Sequence, residues 1–238
     1  MIAILTNPQR FMAFSAWFAP LLGVIAAVLA AVGLWSDFAA PPDYQQGYTV
    51  HIMFIHVAAA WMSLFVYACL GAASFLGLVF RVALADAAAR AAAPLGAGFT
   101  LLALVTGSFW GRPMWGTWWV WDARLTSVLV LFLFYLGYLA LQAAIDDEQR
   151  SARACAILAL VGLVNLPIVH FSVEWWNTLH QGASVFRKDG PAMPPVYLVP
   201  LLTIALAYMA AFGGLWLVRI RAEVWRRRAN VLALRAAG

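Results

Sequence analysis

The stretch IMFIHVAAAWMSLFVYACLGAASFLGLVF, residues 52–80, runs for 29 positions without one Asp, Glu, Lys or Arg. A bilayer core about 30 Å thick is crossed by roughly 20 helical residues, so this run is long enough to span it. Inside hydrocarbon every peptide group must find its partner within the chain, which makes the run a helix. Five further apolar runs lie at about 14–35, 91–110, 125–145, 154–171 and 196–218. The fold class expected is an all-α membrane protein with six transmembrane helices, forming one membrane domain over 1–238.

Composition agrees. The chain is 65% hydrophobic and 11% charged, with a mean hydropathy of +0.84. A soluble domain carries about a quarter charged residues, so this chain lacks the polar surface to face water all round. Its net charge of +5 reads as membrane topology rather than affinity for nucleic acid, and no nucleic-acid partner is expected. Cys69 and Cys155 fall in apolar runs and form neither a CxxC pair nor a CxxCH haem-attachment motif.

Basic residues orient the spans. With both termini cytoplasmic, eleven of the fifteen Lys and Arg residues, from Arg10 to Arg235, fall on inner segments. Only Arg112, Arg124, Arg187 and Lys188 fall outside. The first run is read as an uncleaved span; cleavage near Ala39-Ala40 would leave five spans and spoil this bias. The basic tail 219–238 is then cytoplasmic, suited to anionic lipid. Segments 111–124 and 172–195 become periplasmic loops.

The first of those loops is unusual. Trp110-Gly-Arg-Pro-Met-Trp-Gly-Thr-Trp-Trp-Val-Trp-Asp122 holds five tryptophans in thirteen positions. Eight of the twelve tryptophans, Trp35, Trp110, Trp115, Trp118, Trp119, Trp121, Trp175 and Trp176, lie on the outer side. An ordinary interfacial belt would populate both faces. Indoles in this density make a flat surface for a broad apolar ligand.

All four histidines also fall at or near the outer face. His51 and His56 are five apart, about 140° around a helix, so they point different ways. From His56 the stripe Ala60, Ser63, Tyr67, Gly71 and Ser74 follows at helical intervals, and such small and polar residues mark a packed face. His56 is therefore expected to point into the bundle and His51 toward the interface or water. His170 closes the fifth run and His180 lies in the loop beyond it. Imidazoles from separate segments, beside an aromatic platform, suit a haem, whose iron takes one axial ligand on each face.

The run Trp115-Gly-Thr-Trp-Trp-Val-Trp-Asp122 resembles the WWD signature of haem-handling membrane proteins of cytochrome c biogenesis. Within that group the chain resembles the cytochrome c maturation protein C (CcmC) family of bacterial system I. The likeness takes in Tyr44-Gln-Gln-Gly47, the His56 segment, Leu104-Val-Thr-Gly-Ser108, Arg112 through Thr126, Val164-Asn-Leu-Pro-Ile168 and Ser172 through Gly182. It covers about residues 15–215. The resemblance implies that His56 and His180 are axial ligands of haem b, and the preference for His180 over His170 rests mostly on it. It further implies presentation of haem to a periplasmic chaperone of the CcmE type, in the bacterial inner membrane. An ABC ATPase and membrane subunit (CcmA and CcmB types) and a small single-span subunit (CcmD type) would complete the assembly. The resemblance implies a haem-binding transport and assembly factor rather than an enzyme, and with no GxxxxGK[ST] loop in the chain, ATP hydrolysis is expected on a partner subunit.

Roles for the remaining candidates are weighed against plainer ones. Trp115, Trp118, Trp119 and Trp121 are expected at the haem edge rather than as interfacial anchors only, though not all can face one ligand. Gly116, with Gly111 and Pro113, shapes the loop. Asp122 precedes the fourth run and is placed to cap its helix as well as to touch ligand. Arg112 and Arg124 are equally suited to pair with propionates or to snorkel. Glu174, Arg187 and Asp189 read as solvated loop. Competing functions are a cytochrome c synthetase-type WWD component, a membrane b-type cytochrome and a solute permease. The first tends to be longer. A transmembrane electron carrier wants histidines at two depths, and a permease usually wants charges inside its spans.

Overall fold

The computed structural model describes residues 6–237. Residues 1–5 and Gly238 of the domain drawn over 1–238, and the side chain of Arg235 in the basic tail, lie outside the described residues. The chain forms helices α1 (Pro8–Ala39), α2 (Val50–Phe80), α3 (Ala85–Trp115), α4 (Ala123–Ala144), α5 (Glu148–Gly162), α6 (Asn165–Trp175) and α7 (Pro195–Ala237). With α5 and α6 joined as Glu148–Trp175, six segments among the described residues are long and apolar enough to cross a membrane. The protein is an all-α, six-span bundle.

Helix ends follow capping chemistry rather than hydropathy, so most helices outrun the apolar cores. Asn7 caps α1 through Gln9 N at 2.9 Å and Arg10 N at 3.2 Å, with Pro8 in the first turn. Asp147 caps α5 by accepting from Arg150 N at 2.7 Å. Helix α3 runs on through Trp115 and stops where Gly116 takes φ 75°, a left-handed conformation that suits glycine. Residues 111–115 are thus helical, and the irregular part of the 111–124 segment is short.

The fifth span breaks for a local reason. Pro167 has no amide to return to the Leu163 carbonyl. Around the break Val164 N bonds Val161 O at 3.2 Å and Leu166 N bonds Leu163 O at 3.1 Å, both tighter turns than α-helix. Asn165 fills the gap, its Nδ2 donating to the Ser127 carbonyl on α4 at 2.8 Å.

Helix α2 is central and packs on α3, α5 and α7, whereas α1 lies chiefly against α7. The predicted stripe is inward: His56, Ser63, Tyr67, Gly71 and Ser74 are buried. Tyr135 reaches across from α4 and donates to the Ser63 carbonyl at 2.9 Å. Where α1 meets α7 the approach is close, since a Cβ on Gly33 would stand 2.8 Å from Ile204.

The basic tail continues α7 as helix, and part of its charge is paired within the protein. Arg226 pairs with Glu223 at 2.7 Å and Glu148 at 2.9 Å, and Arg227 pairs with Glu223 at 2.8 Å and with Asp86. Arg221 donates to the Met12 carbonyl at 2.6 Å and to Ser15 Oγ at 2.9 Å. Acids at the starts of α3 and α5 lie beside α7, so Arg226 and Arg227 take part in tertiary pairing, while Arg219 and Arg228 are exposed.

Candidate functional site

At the other end of the bundle a cavity of about 400 Å³ is enclosed by α2, α3, α4, α6 and the loop before α7. His56 on α2 is 9% exposed. Its Nδ1 lies 2.9 Å from the Ala103 carbonyl on α3 and 3.2 Å from Thr106 Oγ1. A carbonyl only accepts, so Nδ1 carries the proton and Nε2 of the neutral ring keeps a lone pair. Backing of this kind fixes the orientation of a ligating imidazole. Gly107 completes the cradle, because a Cβ there would stand 2.8 Å from His56 Cε1.

His180 arrives from the loop after α6. Its Nδ1 lies 3.2 Å from the Gln181 carbonyl, which again leaves Nε2 available. Its backbone amide donates to Thr178 Oγ1 at 3.1 Å, and that hydroxyl donates to Asp122 Oδ2. Asp122 Oδ1 meanwhile accepts from Leu125 N at 2.8 Å and caps α4. One carboxylate therefore ends the tryptophan-rich segment, starts α4 and ties down the histidine loop. Burial, and then the positive charge of Arg124, push the His180 imidazole below its ordinary value of 6.5; the Gln181 carbonyl and Asp122 pull weakly the other way.

The ring centroids of His56 and His180 stand 6.3 Å apart. Two metal–nitrogen bonds of about 2 Å, one from each side of a single metal, plus the two imidazole radii span about that distance. Among the described residues no group of three or more His, Cys, Asp or Glu converges as a metal site. Two imidazoles therefore meet here with no third His, Cys, Asp or Glu joining them as a metal group among the described residues.

Aromatic walls surround the pair. Trp110 lies 5.6 Å from the His56 ring and Trp115 lies 5.9 Å from His180, with Trp119 completing the lining. Trp110 Nε1 donates to Gln46 Oε1 at 3.0 Å, and the Gln46 backbone N–H donates to Asp43 Oδ1 at 2.9 Å. Trp119 Nε1 and Arg124 Nε are buried without a hydrogen-bond partner among the described residues, and both residues line the cavity. An unsatisfied buried donor costs about 1–3 kcal/mol, so two such donors favour a guest bearing acceptors. Arg124 is aimed by its other nitrogen, Nη1, which donates to the Val169 carbonyl at 2.6 Å.

The sequence candidates thus divide. His56, His180, Trp115, Trp119 and Arg124 meet in the cavity. Arg112 does not line it; its guanidinium donates to the Gly116 carbonyl and closes the end of α3. Trp118 and Trp121, 54% and 78% exposed, border a separate apolar groove of about 470 Å³ that shares Leu104, Ser108 and Trp119 with the cavity. Glu174, read as solvated, and the exposed His170 both reach the cavity rim. His51 is partly exposed and lies 2.5 Å through its Nδ1 from Asp37, a buried acid of α1. Gly107, Gln46 and Thr178 carried no role in the sequence reading, although a glycine inside the third apolar run signals close approach.

Comparison with known proteins places these residues in a family. The sequence model of the family described as "Heme exporter protein C" (CcmC) matches residues 1–235. The chain is 56% identical to heme exporter protein C of Bradyrhizobium diazoefficiens over 97% of its length and 88% of that protein. It is 47% identical to heme exporter protein C of Escherichia coli K12, over 91% and 88% respectively. A putative cytochrome c biosynthesis ccmC-like mitochondrial protein of Marchantia polymorpha is 42% identical over 93% and 94%. Six spans, a tryptophan-walled histidine cavity and these matches along almost the whole chain lead to one assignment: the chain belongs to the CcmC family, the heme exporter protein C family.

Proposed function

We propose that this chain binds haem b between His56 and His180 at the periplasmic face of the membrane and presents it to a periplasmic chaperone of the CcmE type. The observation that carries this reading is the pair of imidazoles 6.3 Å apart in a cavity walled by tryptophan. Family membership supports the broader statement, a haem-handling role in cytochrome c maturation by a multi-pass protein of the bacterial inner membrane. Haem iron accepts an imidazole on each face.

The residues divide the work. His56 is the fixed ligand, set on a helix and backed by the Ala103 carbonyl and Gly107. His180 is the releasable one, on a loop held through Thr178 and Asp122. Trp110, Trp115 and Trp119 cover apolar ring surface, and Arg124 with Trp119 Nε1 receives propionate oxygens. Trp118 and Trp121 extend the apolar surface outward, toward the chaperone. The basic-residue bias supports cytoplasmic termini and a periplasmic site. In this reading the chain is a transport and assembly factor rather than an enzyme. ATP hydrolysis belongs to a CcmA-type partner, working with CcmB-type and CcmD-type subunits.

The test is transfer. Haem-loaded protein is mixed with a purified CcmE-type chaperone under reducing conditions. Haem should leave this chain and become covalently attached to the chaperone, read by visible spectrum and chaperone mass. Stable redox cycling with no transfer would favour an electron carrier and overturn the proposal.

A further inference from the structure

At the end of the bundle away from the histidines, α2, the turn after it, α3, α4 and α5 border a second, partly open cavity of about 910 Å³, more than twice the volume of the first. Leu78, Val82, Ala156 and Ile157 give it aliphatic walls. Arg81 and Arg153, both exposed residues, also line it, and neither guanidinium has an ion pair or hydrogen bond among the described residues. The acid beside them is already engaged, since Asp86 holds Arg90 at 3.3 Å and Arg227 as well. Ser74, 3% exposed, lines the same space with its hydroxyl buried and unpartnered.

Arg81 adds an independent signal. It caps α2 at φ 51°, ψ 39°, and it is the one non-glycine residue with positive φ among the described residues. Glycine is the usual choice at such a helix end, and an L-residue with a side chain is strained there. Retaining arginine keeps a guanidinium at the cavity at the expense of backbone comfort.

A guest for this space must offer an anion to two guanidinium groups and aliphatic chain to the walls. Guanidinium forks match phosphate oxygens. A porphyrin fits poorly, because among the described residues no histidine lines the cavity and Tyr138 is its one aromatic ring. We infer that this cavity binds an anionic glycerophospholipid, its phosphate held by Arg81 and Arg153, its acyl chain against Leu78 and Ile157, and Ser74 offering its hydroxyl to the ester region. The site is separate from the histidine cavity, and the two proposals stand or fall independently.

The experiment uses the full chain in mild detergent, stripped of lipid, with wild type compared with Arg81→Gly and with Arg81→Gly/Arg153→Gln. Glycine suits the left-handed backbone at 81, so the single variant is expected to fold as well as wild type. Phosphatidylglycerol, phosphatidylcholine and inorganic phosphate are added in separate arms, and bound lipid is counted by native mass spectrometry alongside thermal melting. Wild type should retain phosphatidylglycerol and melt at a higher temperature with it. The single variant should bind it about tenfold more weakly, and the double variant more weakly still, as expected when charge-assisted bonds are lost. Equal retention by wild type and both variants would overturn the inference. So would equal binding of phosphatidylcholine, or an equal melting shift from inorganic phosphate alone.

Discussion

Thr178 donates its hydroxyl to Asp122, joining the histidine loop to the start of α4. Because the same hydroxyl receives the His180 amide at 3.1 Å, the position of the His180 backbone depends on a carboxylate 58 residues earlier in sequence. This latch and the α4 cap use different oxygens of Asp122. Thr178→Val should therefore release the latch and leave the cap. A hydrogen bond to a charged group contributes about 1.5–3 kcal/mol, so haem affinity should fall about tenfold or more. Thr178→Ser should restore it. Asp122→Ala loses the cap too, worth about 1 kcal/mol, and should also lower the melting temperature. Soret titration and thermal melts of the three variants distinguish these outcomes.

Gly107 leaves room for the His56 ring and nothing more. With a Cβ 2.8 Å from His56 Cε1, Gly107→Ala must shift the imidazole, and Gly107→Val must shift it further. Overpacking of this kind costs about 1–3 kcal/mol. The expected result is a graded loss of haem retention with an altered Soret band; wild-type spectra in both variants would remove His56 from the ligand set.

The two arginines flanking the tryptophans should behave differently. Arg124 lines the cavity and has a buried, unpartnered Nε, whereas Arg112 is spent on the end of α3. Arg124→Gln should weaken haem binding about tenfold or more, the scale of a lost charge-assisted bond. It should also erase any preference for haem over its dimethyl ester. Arg112→Gln should preserve that preference. Competition between the acid and the ester measures both.

The environment of His180 fixes the sign of a pH effect. A neutral imidazole binds iron, and burial together with Arg124 lowers the pKa below 6.5. The neutral ring therefore persists below that pH, and haem retention should hold from about pH 8 through the ordinary imidazole range and fall only under more acid conditions. Removing the Arg124 charge raises the His180 pKa, so Arg124→Gln should move the onset of loss toward higher pH. Spectra recorded along a pH series give the midpoint for each protein.

Much of the architecture was legible because membrane spans are written in composition, and because one helical stripe places His56 inward. The ends of the helices were less so. Hydropathy stops where the apolar core stops, while Asn7, Gly116 and Asp147 set the true boundaries through capping. Arg112 and Arg124 looked alike in sequence, since each flanks the tryptophan run. Only the closure of α3 on Gly116 decides that the first turns away. Gln46 and Thr178 stayed hidden for another reason: their partners Trp110 and Asp122 are 64 and 56 residues distant in the chain. Likewise nothing local indicated that Asp37 would claim His51.

The most direct measurement is the visible spectrum of the purified protein with His56→Gly and His180→Gly, each recorded before and after adding imidazole. If both residues are axial ligands, each variant loses haem, and imidazole restores the haem content and the wild-type Soret band. Unchanged haem content and an unchanged Soret band in both variants would contradict the assignment.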